Sequence, residues 1–167
     1  KCFEKSGRPC FICDFSPPRS GDGSVLQNAD IRADFISIAY NPGRAVRVNS
    51  AMLAAVIKQH SGMDTIFTLA TRDMNKLALQ SQMLGAQVLG LENVVVVQGD
   101  PFSQIDQDFV KGAGDTHPTQ LIASLREMNQ GLDFRGSQLL SPTSFCIGAT
   151  VDLGRGTDQE AALAARK

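Results

Sequence analysis

Val94-Val95-Val96-Val97-Gln98-Gly99-Asp100-Pro101 is the stretch whose reading decides the fold. Four successive apolar residues leave no polar partner to face water, as expected for a strand of a parallel sheet covered on both faces. Gly99-Asp100-Pro101 stops it, because glycine and proline punctuate regular structure. An aspartate therefore stands just past the carboxyl end of a buried strand.

Outward from this stretch, the chain repeats one pattern. Apolar strands are predicted at residues 10–15, 34–40, 65–70, 94–98 and 144–151. The first ends at Ser16-Pro17-Pro18 and the second at Asn41-Pro42-Gly43, both turn signals. Helical stretches lie between them. Residues 50–60 carry Met52, Ala55 and Val56 at helical spacing, with Asn49 or Ser50 as a cap for the free amides of the first turn. The next helix carries Leu77, Leu84 and Val88, with Asp73 or Asn75 at its start and Gly90 at its end. Residues 118–129 set Leu121, Ile122 and Leu125 on one face, and residues 158–167 begin another helix. Strands alternating with helices imply βαβ units and a parallel sheet.

The chain has 167 residues, 43% apolar and 20% charged, an ordinary soluble globular profile. It reads as one domain over residues 1–167. No apolar run approaches the roughly 20 residues of a membrane helix, and no secretory signal is visible, although the chain does not begin with Met. Sixteen basic residues against seventeen acidic ones form no basic stripe, which argues against nucleic acid as a partner. Cys10-Phe11-Ile12-Cys13 has the spacing of a redox or zinc motif, but on a strand residues three apart face opposite ways. The cysteines are read as reduced thiols and the protein as cytoplasmic. His60 and His117 have no ligand partner at metal spacing and are read as solvated, the methionines as core filler, and the polar stretch Pro101-Phe102-Ser103-Gln104 as mobile. No glycine-rich dinucleotide turn, Walker loop or nucleophile elbow is present.

Two parallel architectures remain, an open doubly wound sheet and a (β/α)8 barrel. Asp14, Tyr40 with Asn41, Thr71 with Arg72 and Asp73, Gly99 with Asp100, and Thr150 all fall at strand carboxyl ends. An open sheet binds mainly at one switch point, whereas a barrel builds its site from the loop after every strand. The distribution favours the barrel.

Several of these pieces, in order, resemble a known family. Asp14-Phe15-Ser16-Pro17-Pro18-Arg19, Tyr40-Asn41-Pro42, Thr71-Arg72-Asp73-Met74-Asn75 with Leu84-Gly85-Ala86, Leu89-Gly90-Leu91-Glu92-Asn93-Val94 leading into Gly99-Asp100-Pro101, and Pro142-Thr143-Ser144-Phe145 are similar to the successive units of methylenetetrahydrofolate reductase. The resemblance implies a (β/α)8 barrel that holds FAD at the strand carboxyl face. It implies hydride transfer from NAD(P)H to the flavin and on to 5,10-methylenetetrahydrofolate, giving 5-methyltetrahydrofolate in the one-carbon metabolism that serves methionine biosynthesis. The alternatives are a pterin-dependent methyltransferase and a non-catalytic folate-binding subunit on the same barrel.

By resemblance, Asp100 sits beside flavin and pterin, where its charge tunes the cofactor. Asp14 falls where the family carries its general acid, usually Glu, and is one methylene shorter. Gln98 and Gly99 present backbone to the flavin, Arg166 and Lys167 match a pair that contacts the FAD phosphates, and Tyr40, Thr68 and Arg72 line the site. Departures are Thr68-Leu69-Ala70 in place of a His-x-Thr pattern, and Ala39 where some members carry Thr. A full barrel takes about 250 residues, or roughly 31 per unit. The five strands counted here correspond to about five units, so the chain is expected to be a partial barrel, truncated or processed, and either an oligomer or completed by another chain.

Overall fold

The computed structural model describes residues 7–23 and 33–151, together with single helical positions at 158, 162 and 165. It divides into two compact units, Lys1–Thr68 and Leu69–Lys167.

In the first unit, β1 (Ile12–Phe15) pairs parallel with β2 (Phe35–Ile38), and β2 pairs parallel with β3 (Asp64–Ala70). Asp14, Ser37 and Ile66 stand side by side in this register. Ile36, Ile38 and Phe67 point to the other face and are fully buried. Helix α1 (Ser50–Ser61) packs on β2. Asn49 starts it, its Oδ1 accepting from the amides of Ala51 and Met52 at 2.9 and 3.2 Å. Gly62 ends it in the left-handed region at φ 70°, where a side chain would be strained. The buried side is Ala51, Leu53, Ala54 and Ile57. Met52 and Val56, expected on the core face, are 46% and 37% exposed. The two buried alanines explain the difference, because small side chains let the helix approach the sheet and turn its bulkier residues outward.

In the second unit, β4 (Asn93–Val97) pairs parallel with β5 (Cys146–Ala149), setting Val94 opposite Ile147 and Val95 opposite Gly148. β3 runs across the unit boundary, and the strands follow chain order, β1-β2-β3-β4-β5, in one five-stranded sheet. Helix α2 (Lys76–Val88) is capped by Asn75, whose Oδ1 accepts from the Ala78 amide at 2.9 Å. It buries Leu79, Gln80, Met83 and Ala86. Leu77, Leu84 and Val88, the expected core face, point outward instead, Val88 being 87% exposed. A one-turn helix, α3 (Gln104–Gln107), and helix α4 (Pro118–Met128) follow. α4 buries Leu121, Ile122, Leu125 and Met128 against β4 and β5, the face read from the sequence.

The α/β pattern and all five strands match the sequence reading, and no strand start or end moves by more than two residues. One expectation about β4 fails. Val94 and Val96 are 1% exposed, but Asn93, Val95 and Val97 are only half-buried. Its helix-facing side is covered and its other side stays partly open. Cys10 also lies before β1 begins, so strand alternation does not separate it from Cys13. Cys10, Cys13 and Cys146 are free cysteines. Most of the expected helix at 158–167 lies outside the described residues. Among those described, no helix is long and apolar enough to cross a membrane.

Candidate functional site

The second unit builds its site where β3 and β4 end. Main-chain bonds continue past both strands, from the Thr71 amide to the Val97 carbonyl and from the Arg72 amide to the Gln98 carbonyl, each 3.1 Å. Gly99 then turns the chain at φ 88°, a left-handed conformation that glycine adopts without strain. Asp100 follows at the exposed apex of the turn. No hydrogen bond to its carboxylate is formed among the described residues, while its main-chain carbonyl accepts from Arg72 Nη1 at 2.7 Å.

Arg72 is held firmly. Its Nε and Nη2 donate to the two carboxylate oxygens of Asp73 at 2.5 and 2.8 Å, the fork geometry that suits guanidinium to carboxylate. Its guanidinium lies over the Phe102 ring, 4.3 Å from the centroid. Past Phe102, the stretch expected to be mobile folds into α3. Ser103 and Asp106 close a capping box, the Ser103 side chain accepting from the Asp106 amide at 3.3 Å and the Asp106 carboxylate from the Ser103 amide at 3.0 Å.

Beside this turn lies a cavity of about 670 Å³. Thr71, Gln98, Gly99, Gly112, Gly114 and His117 are among its lining residues. His117, read as a solvated loop residue, is exposed but caps α4, its Nδ1 accepting from the Thr119 amide at 3.5 Å. Its own amide donates to Gln120 Oε1 at 2.8 Å, completing a second capping box. The His117-x-x-Gln120 spacing before an apolar helix was the available signal.

In the first unit, Asp14 lies in β1 on the same sheet face as Ser37, Ile66 and Thr68. It is exposed, and its carboxylate too forms no hydrogen bond among the described residues. The turn after β1 is tied down by Arg47, whose Nη1 donates to the Pro17 carbonyl at 2.7 Å and whose Nε reaches the Pro42 carbonyl at 3.4 Å. The Val48 amide adds a 3.0 Å bond to the Pro18 carbonyl. Asn41 turns the chain after β2 at φ 38° and accepts from the Arg47 amide at 3.2 Å. Tyr40, next to it, is half-buried. Thr68 is half-buried, and its carbonyl accepts from Ser50 Oγ at 2.6 Å.

Arg72, Gln98, Gly99 and Asp100 thus form one cluster in the second unit. Asp14 and Thr68 share the partly open sheet face of the first, with Tyr40 past the end of β2. Arg166 and Lys167 lie outside the described residues. At the opposite, entering end of β2, Arg8 forks onto Asp34 at 2.5 and 2.9 Å and the Phe11 amide adds a bond of 2.8 Å. The Arg8 hydrogen bond, helped by the Phe11 amide, holds the Asp34 carboxyl below its ordinary range. Among the described residues, no group of three His, Cys, Asp or Glu could hold a metal ion.

A family model described as methylenetetrahydrofolate reductase matches residues 2–146. The match takes in Asp14, Tyr40, Thr68, Arg72, Gln98, Gly99 and Asp100, and ends before Arg166 and Lys167.

Proposed function

Since the chain belongs to the methylenetetrahydrofolate reductase family, we propose that it reduces 5,10-methylenetetrahydrofolate to 5-methyltetrahydrofolate with FAD and NAD(P)H. The observation that carries this reading is the Gln98–Gly99–Asp100 turn, which puts an exposed carboxylate between two lining residues of the cavity, Gly99 and Pro101. The partly open faces of β2, β3 and β4 support a partial (β/α)8 barrel, since those faces would form its interior.

The lining suits a flat ring with hydrogen-bonding edges. Gly99, Gly112 and Gly114 offer main chain without side chains in the way, and Gln98, Thr71 and His117 offer polar groups. Arg72 also lines the cavity, but its charge is matched by Asp73. An isoalloxazine ring fits this chemistry better than a phosphate group does, so Arg72 is assigned no phosphate contact. FAD, when bound, supplies the site with a group that takes a hydride from the nicotinamide and gives it to the folate. Gln98 and Gly99 would hold the ring edge with main-chain groups. Asp100 would set its carboxylate beside the ring, disfavouring electron accumulation there, and would accept a hydrogen bond from the pterin. Asp14 would serve as the general acid, passing a proton to the folate nitrogen that leaves as the imidazolidine ring opens. Its exposure leaves room for one bridging water, which compensates for the methylene that Asp lacks relative to Glu.

A visible spectrum of the purified protein, with FAD added, tests the proposal. The expected result is a yellow protein bleached by NADH or NADPH under anaerobic conditions. A colourless protein that takes up no FAD would overturn it.

A further inference from the structure

We infer that Arg72 is a positioning residue that pins both ends of the loop at residues 100–113 and through it fixes Asp100. This inference rests on the reductase reading for its catalytic consequence but not for its structural content. Three contacts carry it. At the start of the loop, Arg72 Nη1 donates to the Asp100 carbonyl at 2.7 Å. At its end, the Ala113 amide donates to the Arg72 carbonyl at 2.8 Å. Between them the guanidinium stacks on Phe102. One residue therefore closes the loop with its main chain on one side and its side chain on the other.

The neighbouring glycines fit this role. A Cβ on Gly99 would come within 3.2 Å of the Arg72 Cβ, and one on Gly112 within 3.4 Å of the Arg72 carbonyl oxygen. The Gly99 end thus approaches Arg72 more closely than most side chains would allow, and the Gly112 end lies in ordinary contact with it. Asp73 completes the device by holding the guanidinium plane, and the Arg72 side chain is only 12% exposed. The same loop carries Ile105, Phe109 and Val110 exposed to solvent. No apolar burial of these three residues anchors it. Lysine could not replace arginine here, because an ammonium cannot fork onto Asp73, reach the Asp100 carbonyl and stack on a ring together.

The test uses the full chain with Arg72→Ala, Arg72→Lys and Asp73→Asn. Amide hydrogen exchange is measured without flavin, and turnover is measured with FAD, NADH and 5,10-methylenetetrahydrofolate. In Arg72→Ala, exchange across 100–113 should rise about tenfold or more, the size expected for losing a charge-assisted hydrogen bond, while α2 and α4 keep their protection. Arg72→Lys should not restore the loop. The variant's kcat should fall about 100-fold, the effect of misplacing a group by roughly 1 Å, with KM nearly unchanged. If Arg72→Ala unfolds, Asp73→Asn, which loosens the guanidinium but keeps it, should raise exchange in the loop alone. Unchanged loop exchange in the folded variants overturns the inference, whatever the activity. So does faster loop exchange with wild-type kcat. A wild-type protein that binds FAD but reduces no folate overturns the reductase reading instead, and the exchange data alone then decide the role of Arg72.

Discussion

The loops after β1 and β4 each follow an exposed aspartate near a strand's carboxyl end, and each is tied down by one arginine. They differ in where the arginine reaches. Arg72 bonds the carbonyl of Asp100 itself. Arg47 bonds the carbonyl of Pro17, beyond the strand, and among the described residues the main chain of Asp14 is held by its ladder with β2 and a 3.9 Å bond from the Cys13 thiol to its carbonyl. Asp100 therefore sits on a clamped turn, and Asp14 on a short strand paired with β2. The difference matches the two proposed tasks. An electrostatic group works by being fixed where charge develops, whereas a proton donor that acts through water tolerates some freedom.

The largest effect expected from this contrast falls on Asp100. Asp100→Ala should lower turnover about 1000-fold, the upper range for removing a preorganised electrostatic group, with little change in melting temperature because the side chain is exposed. Steady-state kinetics and a thermal melt check both halves. Asp14→Asn should lower turnover by about 100-fold, the lower range for general acid catalysis, and Asp14→Glu should retain more activity than Asp14→Asn. Equal activity of the two Asp14 variants would break the contrast by removing the acid role. Arg47→Ala should cost about 1.5 kcal/mol in a denaturant melt, as for one hydrogen bond to a charged group, and loosen the turn after β1 without touching the loop at 100–113.

The smallest effect concerns the entering end of β2. The folded Asp34 carboxyl is held below its ordinary value of 3.8 by Arg8 and the Phe11 amide. Its contribution to stability is therefore present above that value and is lost as pH falls through the lower folded value. Asp34→Asn should flatten this acid limb of the stability profile while leaving the profile near neutral pH almost unchanged. An identical acid limb in both proteins would show that the pair contributes nothing.

Much of this was legible in the chain. Valine runs and Pro-Gly turns located all five strands, and Asn49 and Asn75 were readable as caps. Leu121, Ile122 and Leu125 gave the correct face of α4 because the rest of that helix is polar. α1 and α2 carry apolar residues on more than one side, so spacing alone chose Met52 and Leu77 where Leu53 and Leu79 are buried. α3 is too short for any periodicity, and only the Ser103-x-x-Asp106 spacing marks it. The two arginine clamps were not legible at all. Arg47 reaches a residue 30 positions away and Arg72 one 28 away, and nothing local in the sequence records a partner at that distance. The carboxyl-end positions of Asp14 and Asp100 were visible, but the way each is held was not.

The most direct test of the central claim follows the flavin itself. FAD-loaded protein is reduced anaerobically with NADH, mixed with 5,10-methylenetetrahydrofolate, and its visible absorbance recorded alongside that of Asp100→Ala. The wild-type flavin should regain its colour as 5-methyltetrahydrofolate forms, and the variant should do so far more slowly. Reoxidation at the same rate with and without the folate, or at the same rate in both proteins, would contradict it.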